Sequence, residues 1–516
     1  MNGNFDYQQK MDRLAAGNKP RVIDLFSGCG GLSLGFHRAG FSILGGVEKD
    51  IKAAATHANN FFHGAPEEII SKHADPKDLN FFGPSEFMHE FCEAENPQNL
   101  VDVIIGGPPC QAFSRIGRAK LREIMKQPEA HLQDARASLY TIFLEYVEFF
   151  RPLSILMENV PDIMNFGGKD VAYEIASSLD EMGYSCRYAI LNAANYGVPQ
   201  YRMRFFLLAI LKDLDIVPKF PVPTYRADVP AGYKNQTRGM KVSESAAAYL
   251  FSPSQLSNNF FIPAPTLSSL AQPNVTSQQA LMDLPPITHH LDGRKHTGSR
   301  NFNTMSRYLC GADVSEFINE MRTWPGFDSQ EGVWDHVIRY VPRDYEIFRR
   351  MSPGDEYPRA HQIASLEIFP EKLKDEEQSS GHKIEQGTPE YQRVWNSCVP
   401  PYDPTKFPNK WWKLIPDKPS RTLTAHMGKD TYSHIHYDSA QARVISVREA
   451  ARLQSFPDGF TFSGSMDAAY RQIGNAVPPL IAFAFAKQIR TLIDKAMNNS
   501  VVAEIGEKKV PTITDL

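Results

Sequence analysis

Short apolar runs alternate with amphipathic stretches along the first 210 residues of the chain. Strands buried on both faces of a parallel sheet read as continuous apolar runs, whereas surface helices repeat their apolar positions every three to four residues. The predicted strands are 21–26, 41–47, 101–105, 153–157, 183–190 and 205–210, and the clearest predicted helices are 32–39 and 140–150. This alternation predicts an α/β fold with a doubly wound, Rossmann-like sheet.

The pattern breaks down after a proline-rich boundary at about residue 221. Residues 226–415 are irregular, rich in Pro, Ser, Asn and Gln, and contain all five tryptophans. The clustered tryptophans favour a small core over a base-stacking surface. Residues 1–19 are polar, and we expect them to form a loose lead-in.

Regular patterns return near the C-terminus, in a capped helix that starts at Ser446 and a last apolar helix over 480–496. We therefore predict two domains. The first is 1–225, completed by 466–516, and the second, smaller and irregular domain is 226–465. Arg448 and Arg452 in the capped helix are interpreted as helix-surface or salt-bridge residues.

A glycine turn follows the first strand, and an acid ends the second. Ser27–Gly31 is the turn, and Glu48 comes 20 residues after Gly28. Glycines let the backbone approach a ligand, and a carboxylate can bind both hydroxyls of a ribose, so a nucleoside cofactor is predicted. The turn lacks the G-x-G-x-x-G spacing, which argues against NAD. Asp75, where a third strand is expected to end, could accept a hydrogen bond from an adenine amino group.

Cys110 stands on a loop that ends the strand 101–105, within Gly106-Gly-Pro-Pro-Cys-Gln-Ala-Phe-Ser114. A thiol there is either a nucleophile or a small apolar filler. Two other strand ends carry Glu158-Asn159 and the alternating Arg202 and Arg204, which favours the nucleophile. The basic residues over 115–122 are either a solvated face or a lid over a phosphate backbone.

Composition limits the class of protein only loosely. The chain has 516 residues, a net charge of −4, and six cysteines without metal-ligand spacing. We predict no metal site, no disulfide framework, no signal peptide and no membrane-spanning helix, and therefore a cytoplasmic protein. The charge neither indicates nor excludes a nucleic-acid partner.

Taken together and in order, these motifs resemble those of the C5-cytosine-specific DNA methyltransferases, of the bacterial modification type. The resemblance covers about 20–210 and 416–490, and it implies a seven-strand methyltransferase sheet. Lys49 departs from it, because many members carry an aromatic residue there. The matching motifs are Asp24–Gly31, Pro109–Gln111, Glu158–Val160, Gln200-x-Arg202-x-Arg204, Arg448–Gln454 and Gly474–Val477.

The resemblance implies S-adenosyl-L-methionine as cofactor and a set of site residues. The expected cofactor-binding residues are Asp24, Phe26, Gly28, Gly30, Gly31, Glu48, Asp75, Pro108, Leu139 and Asn475. The expected catalytic residues are Cys110, Glu158, Arg202 and Arg204, and the expected DNA-binding residues are Gln111, Ser114 and Arg118. Residues 226–415 become the target-recognition region.

The chemistry then assigns three roles. Cys110 attacks C6 of a cytosine flipped out of double-stranded DNA, which activates C5 toward the methyl donor. Glu158 assists at N3 and Arg204 at O2. A monomer tied to restriction-modification or phage defence is expected.

Three alternatives are weighed. An RNA cytosine-5 methyltransferase of the tRNA-modifying branch shares the motifs, but its recognition domain is typically small, and 226–415 is long. A non-catalytic DNA-binding adapter would be expected to lose Cys110, Glu158 or Arg204. A nicotinamide oxidoreductase leaves the Pro-Pro-Cys loop unexplained.

Overall fold

The computed structural model describes most of the chain and divides it into two compact units. The first unit comprises Met1–Tyr196, Arg202–Pro273 and Ala476–Leu516, and the second comprises Gly197–Tyr201 and Asn274–Asn475. The predicted domain boundary near 225 stays a prediction. The described residues are 7–92, 96–109, 139–165, 170–228, 260–292, 304–311, 313–428 and 432–507.

A mixed, mostly parallel sheet forms the centre of the first unit. Its strands are β1 (Arg21–Leu25), β2 (Ser42–Val47), β3 (Val103–Gly106), β4 (Ser154–Asn159), β5 (Tyr184–Asn192) and β6 (Met203–Leu211). They lie in the order β2-β1-β3-β4-β6-β5, with β6 antiparallel to both of its neighbours. The α/β prediction is confirmed, and the described residues supply six strands of the sheet. A short parallel pair joins β7 (Tyr225–Arg226) to β8 (Gln272–Pro273).

Helices connect and cover these strands. They are α1 (Gln8–Ala15), α2 (Gly31–Arg38), α3 (Ile51–Phe61), α4 (Glu67–Ala74), α5 (Pro84–Phe91), α6 (Leu139–Phe150), α7 (Val171–Glu181) and a C-terminal helix, Pro479–Glu507. The C-terminal helix packs against α2, where a Cβ at Gly35 would clash with Ala482 and Phe483. Only glycine, which has no Cβ, therefore fits at position 35, where the two helices cross.

The strand order changes direction between β1 and β3, and this places the loops that follow them side by side. Leu25 pairs with both Val47 and Gly106, and Gly106 also pairs with Met157. The residues that follow these four therefore stand together at the carboxyl edge of the sheet: Phe26, Glu48, Gly107 and Glu158. Open α/β sheets bind ligands at such a switch point.

The N-terminal segment is not the loose lead-in that its polar composition suggested. Lys10 is fully buried, and its ammonium donates to the carbonyls of Val101, Phe150 and Arg151 at 2.6, 3.1 and 2.8 Å. Arg13, on the same N-terminal segment as Lys10, forms an ion pair with the buried Asp102. A buried lysine with three carbonyl partners is compatible with a packed helix, and α1 is therefore part of the first unit's core.

The second unit is mainly helical and contains short two-residue strands. Its helices are α8 (Ser277–Leu281), α9 (Glu316–Arg322), α10 (Tyr345–Arg350), α11 (Tyr357–Gln362), α12 (Phe369–Ser380), α13 (Pro389–Cys398), α14 (Val447–Leu453) and α15 (Met466–Asn475), with a π-helical turn at Ile363–Ile368 and an antiparallel pair β9 (Ser306–Arg307) and β10 (Gly332–Val333). Trp411 is fully buried, and Trp395 packs against the same apolar cluster of α10–α13. Trp324 is also fully buried. For these three tryptophans, the core interpretation is correct.

Two arginines of α14 are buried, not on the helix surface. Arg452 lies between the buried carboxylates of Asp283 and Asp458, at 2.9 and 2.6 Å. Arg448 donates to three carbonyls, those of Trp334, Pro457 and Phe460. The salt-bridge interpretation is correct for Arg452. Arg448 instead holds the backbone of loops in place through its hydrogen bonds to these carbonyls.

Within the described parts of the chain, one helical stretch is long and apolar enough to cross a membrane. It is 466–498, with a mean hydropathy of 1.2 in its most apolar window, and 67% of that window is buried inside the protein. Its apolar residues are thus largely used in packing, as in a core helix.

Candidate active site

The glycine turn after β1 has a backbone that most residues avoid. Phe26 has a φ of 59°, and Gly28 and Gly30 have φ values of 55° and 99°. A non-glycine residue in the left-handed region costs free energy and is concentrated at functional sites. A Cβ at Gly31 would clash with the carbonyl of Val477. The turn is therefore held in one conformation, with Phe26 part-exposed at the carboxyl end of β1.

Glu48 is fastened to this turn by its carboxylate. Oε2 accepts from the backbone N–H of Gly28 at 3.0 Å, and Oε1 accepts from the N–H of Asp50 at 2.7 Å. Burial raises the pKa of Glu48, and these backbone hydrogen bonds oppose the rise. Each oxygen keeps a lone pair for another donor. The geometry suits a carboxylate that binds two hydroxyls.

Asp24 lies beneath the turn, almost wholly buried, with one oxygen in use. Its Oδ2 accepts from Ser33 Oγ at 2.7 Å, whereas Oδ1 has no hydrogen-bond partner among the described residues. The Oγ atom of Ser27 is also buried, and it has no hydrogen-bond partner among the described residues. Burial raises the pKa of Asp24 to about 7, and the Ser33 hydrogen bond opposes this rise. Because unpaired buried polar atoms are costly, both oxygens fit a ligand that brings donors.

Asp75 differs from its predicted setting. It follows the helix α4, not a strand, and it is exposed and ion-paired with Lys77. The backbone N–H of Lys77 donates to the carbonyl of Glu48 at 2.7 Å, which brings the segment beside the Glu48 loop. The strand prediction was wrong because 67–74 has the apolar spacing of a short helix. The role of Asp75 toward adenine stays a prediction.

The predicted nucleophile follows β3 directly, on a segment that is only partly described. Cys110, Gln111, Ser114 and Arg118 lie outside the described residues. Just before them, Pro108 is buried, and its carbonyl accepts from Asn159 Nδ2 at 2.8 Å. Asn159 Oδ1 also accepts from the N–H of Val160. Asn159 thus braces the backbone that leads to Cys110.

Glu158 and Arg204 form an ion pair at the end of β4. Glu158 Oε1 lies 3.0 Å from Arg204 Nε, and both side chains are largely buried. A Cβ at Gly107 would lie 3.1 Å from Glu158 Oε2, so the carboxylate stands directly over the strand end that leads to Cys110. Burial raises the pKa of Glu158, while Arg204 and then Arg202 oppose the rise. The pair offers a proton donor or acceptor beside a fixed positive charge.

Arg202 lies deeper than Arg204. Its guanidinium is buried and donates to the carbonyl of Ala476 at 3.1 Å, and burial lowers its pKa. Arg202 is thus fixed to the backbone that precedes the C-terminal helix, and a catalytic role for Arg202 stays a prediction. Leu139, half-buried, begins α6.

Two predicted residues belong to the second unit. Asn475 is exposed at the end of α15. Gln200, the first residue of the Gln-x-Arg-x-Arg motif, bonds within the second unit: its Oε1 accepts from the N–H of Leu423, and its Nε2 donates to the carbonyl of Leu453. The cofactor-binding role of Asn475 stays a prediction.

Sequence reasoning did not identify Ser33 or His57. Ser33 Oγ lies 3.1 Å from His57 Nε2 as well as 2.7 Å from Asp24, and all three residues are buried. The available signal was a lone polar residue in the apolar run 32–36. Among the described residues, no group of three or more His, Cys, Asp or Glu side chains is arranged to hold a metal ion.

Comparison with known proteins identifies the family. The family model for C-5 cytosine-specific DNA methylases matches residues 20–272 and 299–491. M.OihORF3336P of Oceanobacillus iheyensis, a predicted type II methyltransferase, is 38% identical over 91% of this chain and 95% of its own length. The type II methyltransferase M.AgeI of Thalassovita gelatinovora is 29% identical over 92% of this chain and 100% of its own.

A solved structure supports the fold. A predicted DNA modification methyltransferase from an E. coli prophage matches with a TM-score of 0.55 and 22% identity, over 92% of this chain and 100% of its own. The family match and the 38% identical relative resolve the choice between an adapter and an enzyme. The chain belongs to the C-5 cytosine-specific DNA methylase family and is a DNA (cytosine-5-)-methyltransferase.

Proposed function

We propose that this enzyme methylates cytosine within a specific sequence of double-stranded DNA, with S-adenosylmethionine as methyl donor. The observation that carries the proposal is the Glu158–Arg204 ion pair, which lies over Gly107 on the strand end that leads to Cys110. The titratable acid and the fixed cation of the proposed chemistry are then together at the edge of the sheet where β3 ends, four residues before Cys110 in the sequence.

Cytosine C5 is a poor nucleophile because the ring is aromatic and uncharged. The Cys110 thiolate adds to C6, which breaks the conjugation and makes C5 electron-rich. The charge that develops at N3 and O2 is met by Glu158 and Arg204, with Glu158 donating a proton or hydrogen bond to N3. After C5 is methylated, its proton is lost and the C6–S bond breaks, which restores the thiolate.

The residues around the glycine turn fit the cofactor. S-adenosylmethionine supplies an electrophilic methyl group on a sulfonium centre when it is bound. Glu48 would hold the ribose hydroxyls, Phe26 would pack on the adenine, and Asp24 would accept from the cationic methionine end. The buried oxygen of Asp24 that has no partner among the described residues supports this assignment.

The DNA contacts rest on family membership and on the sequence. Gln111, Ser114 and Arg118 are the proposed contacts of the catalytic loop, and residues 226–415 are the proposed target-recognition region. The two relatives named above are type II methyltransferases, which supports a partnership with a restriction or defence system. We propose a cytoplasmic monomer.

A methyl-transfer assay tests the proposal. Purified enzyme is mixed with S-adenosylmethionine labelled in its methyl group and with either unmethylated plasmid DNA or bulk tRNA. We expect label in 5-methylcytosine of the DNA, and only background label in the tRNA. Label in tRNA alone would contradict the proposal and support an RNA methyltransferase.

A further inference from the structure

A buried chain of hydrogen bonds runs from β1 through α2 to α3, beneath the glycine turn. Ser33 Oγ lies 2.7 Å from Asp24 Oδ2 and 3.1 Å from His57 Nε2. Asp24 and His57 are each 1% exposed, and Ser33 is 0% exposed. No step of the proposed chemistry uses Ser33 or His57.

The imidazole has little freedom to leave this chain. A Cβ at Gly46 of β2 would lie 2.7 Å from His57 Cε1, so the ring packs directly on the strand backbone. The His57 ring also lies against Phe61, with centroids 4.6 Å apart. Packing on both sides holds His57 Nε2 toward Ser33.

A hydroxyl has one hydrogen to donate, which fixes the direction of the chain. When Asp24 is ionised, Ser33 donates to Oδ2 and accepts from His57, which must carry its proton on Nε2. When Asp24 is protonated, it can donate to Ser33, which then donates to His57 Nε2, and the imidazole proton must be on Nδ1. The three residues can therefore satisfy both charge states of Asp24.

We propose that Ser33 and His57 are positioning residues for the methyl donor: they orient Asp24 so that its second oxygen receives the donor's cationic end, and they reverse their hydrogen bonds when Asp24 gains a proton. The inference rests on the proposed function, since it requires Asp24 in the donor site. It assigns a task to an imidazole that does not touch the ligand.

Burial makes Asp24 the group that titrates near neutral pH. Burial raises its pKa to about 7, with Ser33 opposing and Glu48 adding to the rise. Burial lowers the pKa of His57 to about 3, with His73 adding to the effect, and burial keeps the Cys29 thiol protonated by raising its pKa. A cationic ligand favours ionised Asp24, so affinity should increase as pH rises toward 7 and lose its dependence on Asp24 above it.

Calorimetric titration with S-adenosylmethionine between pH 5.5 and 8.5 tests this. For the wild type we expect the dissociation constant to fall by up to about tenfold per pH unit below pH 7. Ser33→Ala removes the hydroxyl donor to Oδ2 and keeps the backbone N–H of residue 33, which raises the pKa of Asp24 and moves that curve to higher pH. Because both proteins are measured with one ligand, titration of the ligand itself cancels in their ratio. Ser71→Ala, an exposed serine of α4, should leave the curve unchanged.

Nitrogen NMR of labelled histidine reads the tautomer of His57 in the wild-type protein itself. The His57 signals, assigned by their loss in His57→Gln, should report the Nε2–H tautomer at pH 8 and a growing Nδ1–H fraction at pH 5.5. A tautomer that does not change, together with a Ser33→Ala curve that overlays the wild type, would overturn the inference and leave the proposed function intact. Absence of S-adenosylmethionine binding by the wild type at every pH would overturn both.

Discussion

At the scale of single residues, the Glu158–Arg204 pair is best explained by chemistry. Both side chains are largely buried at 3.0 Å. Removing two charges from water is expensive, and apolar residues in their place often give equal or greater stability. We therefore attribute this buried ion pair at the end of β4 to catalysis and not to folding.

Replacing Glu158 with glutamine should separate catalysis from binding. Gln keeps the shape but cannot transfer a proton, so we expect the methyl-transfer rate to fall by about 100- to 10,000-fold. The dissociation constant of S-adenosylmethionine should stay within about twofold, because Glu158 lies on β4 and the glycine turn follows β1. Single-turnover assays and calorimetry measure the two quantities, with the exposed Glu67→Gln as control.

The wild-type rate should also depend on pH through Glu158. Burial raises the pKa of its carboxyl, so the acid form persists to a higher pH than in a free glutamate. If that acid protonates N3, the rate falls as pH rises through the pKa, and Glu158→Gln loses this limb of the profile. A variant that keeps the same alkaline decline would show that another group controls it.

Glu48 makes a separate prediction for the cofactor. Glu48→Ala removes the acceptor for two hydroxyls and also releases the N–H of Gly28. Hydrogen bonds to a charged group contribute about 1.5–3 kcal/mol each, so the dissociation constant of S-adenosylmethionine should rise by at least about tenfold. Calorimetry against Glu68→Ala, another exposed acid of α4, measures the change. Equal affinities would remove Glu48 from the ribose site.

Strand-end residues were the easiest part of the site to predict. An apolar run that ends at Glu48 or Glu158 predicts a strand, and it also predicts which side chain stands at the end of that strand. Ser33 and His57 were not predictable in this way, because a hydrogen-bond chain between three elements depends on how their helices pack. Asp75 shows the opposite error, since a short amphipathic helix was interpreted as a strand.

At the scale of elements, α1 has a structural role that its composition conceals. Five of its eight residues are polar or charged, yet Lys10 donates to the last carbonyl of α6, and Arg13 pairs with Asp102. The same Asp102 accepts from the N–H of Arg21 at 2.7 Å, so α1, β1 and the approach to β3 share one buried carboxylate. A buried lysine that donates to backbone carbonyls cannot be inferred from the periodicity of apolar residues.

Lys10→Met should therefore destabilise the first unit. The substitution keeps the apolar stem but leaves buried carbonyls without a donor, which costs about 1–3 kcal/mol. The thermal unfolding midpoint, followed by calorimetry, should fall by several degrees, whereas Lys52→Met on an exposed position of α3 should change it little. Equal midpoints for the two variants would mean that α1 is peripheral.

At the scale of the whole molecule, the sequence was most informative where periodicity was strong. The six strands predicted from apolar runs are present within a few residues of their expected bounds, whereas the further strand expected to end at Asp75 is the helix α4. For residues 226–415, by contrast, the sequence showed only that the regular pattern of the first 210 residues is lost. Its core around Trp411 is built from helices of six to twelve residues, and segments that short carry weak periodic signals.

Specificity is predicted to reside in 226–415. Replacing this region with that of a type II relative should move the methylated sequence to the relative's target, because base contacts specify whereas the catalytic machinery is common to the family. Sequencing of methylated plasmid from cells that express the chimera measures the target. Retention of the original target by an active chimera would place specificity elsewhere.

The most direct test of the central claim is conversion sequencing of DNA from a host without cytosine methylation, after expression of this chain. The account predicts 5-methylcytosine at one position of one recurring sequence, and none with Cys110→Ser, produced at the same level and still able to bind S-adenosylmethionine. Methylation that persists with Cys110→Ser would contradict the nucleophile. Unmodified DNA from cells that contain the folded, cofactor-binding wild type would contradict the claim as a whole.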